Sequence, residues 1–122
     1  MSLDQLQQLA EHGLAAVPRL DDVAVACWEH GENTGDARYC VLWRSLQVIS
    51  GAYGDRPEDV HFEGLASSVV SRLDGVITRE LPAVLSAEDP EHGTAIAVTM
   101  ARAIDAVFRE AGDPRRPRWE QP

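Results

Sequence analysis

Apolar side chains recur along this chain at intervals of three and four residues, and the rhythm stops at Gly, Pro or short polar clusters. Such spacing lays one apolar stripe along an α-helix, whereas a half-buried strand needs strict alternation. Leu3, Leu6, Leu9, Ala10, Leu14 and Val17 keep the helical period up to Pro18. They predict a first helix over residues 3–16, weakened in its last turn by Gly13. Ser2 and Gln5 stand at capping-box spacing at its start. The next stretch, LDDVAVACWEHG, holds enough Val to suggest a strand. Leu20, Val23, Ala24, Cys27 and Trp28 nevertheless share one helical face, and a lone strand would find no partner elsewhere in this chain. A helix ending at Gly31 is expected, with GENTGD (residues 31–36) as a turn.

Tyr39, Leu42, Trp43, Leu46, Ile49 and Tyr53 form the most aromatic stripe, which ends at Gly51 or Gly54. With Val41 and Val48 on another face, this central helix reads as apolar nearly all round. Such a helix needs complete burial or a second copy to cover it, so a homodimer is expected. A helix start follows at Asp55, Pro57 and Glu58, and Phe62, Leu65, Ala66, Val69, Leu73, Val76 and Ile77 continue the period. Pro82 lacks an amide hydrogen and predicts a break near Glu80 or Leu81, with a short helical turn carrying Val84 and Leu85. In the last helix Asp89 is the N-cap, Pro90 the first helical residue and Glu91 a favourable charge at the positive dipole end. Ile96, Met100, Ala103, Ile104, Val107 and Phe108 make its buried stripe, and Gly112 and Pro114 end it. The elements add up to an all-α fold: an antiparallel helical bundle of four main helices plus one or two short ones. Residues 1–112 form its single domain, and residues 113–122, DPRRPRWEQP, a short Arg/Pro-rich tail.

A hydrophobic fraction of 44% at 122 residues suffices for a globular core and argues against disorder. No apolar run reaches the ~18 residues that cross a bilayer. The polar start MSLDQLQQLAEHG lacks the basic and apolar regions of a secretory signal, so a cytoplasmic protein is expected, with no membrane partner. All 11 basic residues are Arg. A Lys-free, Ala- and Arg-rich composition suits a GC-rich bacterial genome, and it removes Schiff-base and phosphate-loop lysine chemistry. The net charge of −9 opposes binding to a phosphate backbone, so nucleic acid is not an expected partner. Acidic mimicry of nucleic acid would need carboxylates in rows, and here they are scattered.

Each chemical motif meets a simpler structural explanation. Glu58 and His61 have the Glu-x-x-His spacing of carboxylate metal sites in helical bundles, but a di-metal site needs two such motifs and two more glutamates. Cys27, His30 and Cys40, with His12, match no standard zinc module, and the two thiols read as small core residues. The run from His61 to Ser68 resembles histidine phosphotransfer domains over one turn. Those domains carry Lys three residues after the histidine, where this chain has Gly64, so nothing is carried over. Arg72 and Arg79 with Asp74 and Glu80 read as solvent-facing ion pairs. No catalytic set and no cofactor motif emerges.

The expectation is a non-enzymatic, small, acidic protein-interaction module: a regulator, adaptor, antitoxin-like or immunity-like protein whose partner is another protein. Trp28 and Trp43, together with Arg115, Arg116, Arg118 and Trp119 of the tail, are its candidate contacts, since Trp and Arg dominate binding hot spots. The alternative is a bundle that binds a small ligand or metal, possibly as an enzyme, with Glu58 and His61 as metal ligands; it needs inward-facing carboxylates, for which Glu63, Glu80 and Asp105 are the mid-helix candidates.

Overall fold

Five α-helices and one 3₁₀ turn account for nearly all of residues 3–17, 19–53 and 67–111, the parts of the chain that the computed structural model describes. In order they are α1 (Asp4–His12), the 3₁₀ turn (Leu14–Ala16), α2 (Leu20–Thr34), α3 (Ala37–Tyr53), α4 (Ser67–Ser86) and α5 (Pro90–Ala111). No strand occurs among the described residues, and the expected all-α bundle is the observed fold. No helix among them is long and apolar enough to cross a membrane.

Two antiparallel hairpins, α2–α3 and α4–α5, meet along a seam between α3 and α5, and α1 packs on α4. Leu9, Ala24, Leu46, Ile77 and Ile104, one from each helix, are entirely buried in one apolar cluster. Each Leu or Ile buried in this way stabilises the fold by roughly 1.5–3 kcal/mol before ordering costs. α5 starts as its sequence predicts: Asp89 Oδ1 accepts the Glu91 amide N–H at 3.1 Å, directly before Pro90.

Several boundaries differ from expectation, each for a local reason. The first helix stops at His12, because Gly13 adopts φ 84° and donates its N–H to the Leu9 carbonyl; Leu14 then opens a separate 3₁₀ turn. Ser2 lies outside the described residues, and Leu3, at the N-cap, makes no side-chain cap. α2 passes through Gly31 and ends at Gly35, which takes the left-handed conformation at φ 73° and donates to the Gly31 carbonyl at 2.8 Å. The turn thus shrinks to Gly35 and Asp36. α4 is unbroken through Pro82. Thr78 and Pro82 both lie on the exposed side of α4, where water can replace the amide partner that the Thr78 carbonyl loses. The expected helix start at residues 55–58, the helix stop at Gly112 and the tail fall outside the described residues.

The central helix is not apolar all round. Ala37, Arg44, Gln47 and Gly51 form an exposed stripe on α3, opposite the buried Leu42, Leu46 and Ile49. One buried polar atom stands out on this helix: Ser45 Oγ has no hydrogen-bond partner among the described residues.

Candidate protein interface

The α2–α3 hairpin is fixed by three small features of its sequence. Gly31 is buried because α3 crosses it closely: a Cβ there would lie 3.3 Å from Tyr39 Cβ and 3.4 Å from Cys40 Sγ. Gly35 reverses the chain. Asp36 then caps α3, its Oδ1 accepting the Arg38 amide N–H at 3.1 Å.

Arg38 ties this turn to the other hairpin. Its side chain is 6% exposed, and its Nε sits 2.9 Å from Asp36 Oδ2 in an ion pair. Its Nη1 donates to the carbonyls of Val84 and Ala87, both at 2.7 Å, and so closes the last turn of α4. The guanidinium lies against α5 at Gly93, where a Cβ would come within 2.6 Å of Cζ. The starts of α3 and α5 and the end of α4 therefore meet at one polar latch. Nothing in the hydrophobic pattern announces Arg38, which breaks the apolar rhythm. The signal that could have revealed it is local: Asp36 two residues ahead at an N-cap position, and Gly93 inside an otherwise unbroken helix.

Further along the hairpin the character reverses. Trp28 on α2 and Trp43 on α3 meet with ring centroids 6.5 Å apart and planes tilted by 54°. Trp43 is half-buried, whereas Trp28, 43% exposed, is the one exposed large hydrophobic residue among those described. The residues one turn away on α2 explain why. Ala24 and Gly31 are too small to cover an indole, Val25 is itself only half-buried, and Glu32 is exposed. Behind this edge, Cys27 is wholly buried, and burial pushes its thiol up to about 12, which keeps it neutral. His30 meets Tyr39 edge-on at 4.4 Å. Burial raises the Tyr39 phenol above its ordinary value, against an opposing pull from Arg38.

The two expected contacts Trp28 and Trp43 are thus brought together. Arg115, Arg116, Arg118 and Trp119 lie outside the described residues, as do Glu58, His61 and Glu63. Of the other mid-helix acids of the alternative reading, Glu80 pairs with Arg79 at 3.0 Å, and Asp105, buried, pairs with Arg109 of its own helix. Cys27 and Cys40 are both free thiols, Cys27 in the core and Cys40 half-buried against Gly31. His12 is exposed at the end of α1. Among the described residues no group of three or more His, Cys, Asp or Glu side chains is placed to hold a metal ion. The expected surface cluster around Arg72 and Arg79 is only partly a set of surface pairs. Arg72 pairs with Glu110 on α5, but Asp74 turns inward and accepts the Leu14 amide N–H at 2.8 Å, capping the 3₁₀ turn.

No family model matches this chain, and no curated protein or solved structure is significantly similar to it.

Proposed function

We propose that this chain is a small acidic protein-interaction module, a regulator, adaptor, antitoxin-like or immunity-like protein that works by docking onto another protein rather than by catalysis. The observation that carries the reading is the Trp28–Trp43 pair: a large indole left 43% exposed and braced by a second one on the neighbouring helix. An indole held rigid before binding loses little entropy on contact, and Trp is among the residues most enriched at binding hot spots. Among the described residues every helix contributes large, covered apolar side chains to one core, and Trp28 is the large one left outside it.

The test is paired affinity enrichment from the producing cell, with the natural chain and Trp28→Gln as baits of matched helicity, both fully folded at the temperature of the experiment. A protein retained by the natural chain and lost by the variant supports docking through this edge. Identical retained sets, or none, contradict it.

A further inference from the structure

The exposed indole has a charged setting as well as an aromatic neighbour. α2 carries four carboxylates, Asp21, Asp22, Glu29 and Glu32, and no Arg in a chain with 11 of them. Glu29 follows Trp28 directly, and Glu32 lies one turn beyond it on the same side; both are exposed. Elsewhere several acids are matched with cations of the chain: Glu80 with Arg79, Glu110 with Arg72, Asp105 with Arg109, Asp36 with Arg38. On α2 Asp22 has Arg19 at 3.3 Å, at the helix start and away from the indole. Around Trp28 the carboxylates of Glu29 and Glu32 have no ion pair with any described residue.

We infer that the Trp28–Trp43 edge takes a basic segment of a partner protein, an Arg- or Lys-bearing face with an apolar residue at its centre. This rests on the interaction reading above and adds the chemistry of the partner. An apolar centre with a polar rim is the ordinary anatomy of a protein interface, and here the centre is the indole pair and the rim is anionic. The face of an indole attracts a cation, most strongly among the aromatic side chains, and a guanidinium laid on Trp28 stays within reach of Glu29 and Glu32. A second copy of this chain fits less well. A two-fold dimer sets the same patch against itself, which would bring the carboxylates of α2 against their own counterparts on a chain of net charge −9.

The probe is a fluorescein-labelled amphipathic peptide of Leu and Arg, with twin peptides in which Gln or Glu replaces every Arg. Anisotropy titrations use the full chain, Trp28→Gln, the double variant Glu29→Gln and Glu32→Gln, and a control, Glu88→Gln and Glu91→Gln. The control removes two exposed acids near the start of α5 and leaves α2 untouched. The Arg peptide is expected to bind the full chain, more weakly as salt rises, and the Glu peptide not at all. Trp28→Gln and the Glu29/Glu32 variant each weaken it about tenfold, while the control stays within about twofold. Equal losses in the control and the Glu29/Glu32 variant, or a Trp28→Gln variant that binds unchanged, overturn the inference, because the attraction is then that of a general polyanion. Failure of the Arg peptide to bind overturns it as well. Preference for the Gln peptide, still lost in Trp28→Gln, removes the basic partner but leaves the docking edge standing. Concentration-dependent dimers seen by sedimentation, and abolished in Trp28→Gln, assign the edge to a second copy instead.

Discussion

The two stations of the α2–α3 hairpin treat polarity in opposite ways. At the turn, Arg38 is charged yet buried, Asp36 is largely covered beside it, and each is held by specific partners. Roughly a turn and a half further along α3, at Trp43, an aromatic pair reaches the surface and its outer member stands partly in water. The charge is inside and the indole outside, the reverse of what side-chain hydrophobicity alone dictates. A buried charge survives only when its partners are all in place, so the latch is committed to the fold. An exposed indole contributes less to folding than a buried one and leaves apolar area available for a partner. What holds the bundle together is thus distinct from what it exposes.

The largest expected effect comes from breaking the latch. Arg38→Met strands the Asp36 carboxylate and two carbonyls at the end of α4, and removing one member of a buried pair costs about 3–5 kcal/mol. Urea unfolding followed by circular dichroism measures it. Asp36→Asn, which keeps the cap acceptor, should lose less.

An alkaline limit sharpens the contrast between the inner and outer faces of α2. In the unfolded chain the Cys27 thiol ionises near its ordinary 9.0, whereas in the fold burial holds it neutral to about 12. Stability from this group is complete below the lower value and falls as pH rises between the two, by about 1.4 kcal/mol per pH unit. Unfolding midpoints across this window should decline steeply for the natural chain and more gently for Cys27→Ala. Tyr39, also raised by burial, steepens the decline only above its ordinary 10.0.

Gly93→Ala attacks the latch from α5. The added methyl would sit 2.6–2.8 Å from the guanidinium atoms, which are pinned by their hydrogen bonds and cannot swing away freely. A loss of about 1–3 kcal/mol is expected, and combination with Arg38→Met should cost far less than the sum of the two. The smallest effect is a gain. Ser45→Ala removes a buried hydroxyl without a partner among the described residues and should raise stability by up to about 1 kcal/mol, read as a higher melting temperature.

The helices were legible because burial in a bundle is periodic. Each of the five described helices shows its stripe, and Asp89-Pro90 marks the start of α5 without ambiguity. Boundaries were less legible where a glycine has two possible meanings. Gly31 and Gly35 stand four residues apart, and only the packing of Tyr39 and Cys40 shows that the first permits a close approach and the second ends the helix. Pro82 misled in a similar way, since its tolerance depends on facing water. Of the candidate interface, Trp28 and Trp43 were visible as residue types, but their pairing across two helices depends on register. The latch was not visible at all: Arg38 and Asp36 look like ordinary surface charges until the end of α4 and the start of α5 close over them.

The most direct measurement is the unfolding free energy of Trp28→Gln beside that of Arg38→Met, in one buffer. If the indole edge is held for a partner and the latch for the fold, Trp28→Gln loses about 1–2 kcal/mol, well short of the loss in Arg38→Met. A Trp28→Gln loss equal to or greater than that of Arg38→Met would make the tryptophan pair part of the folding core, and would contradict the division between the two regions.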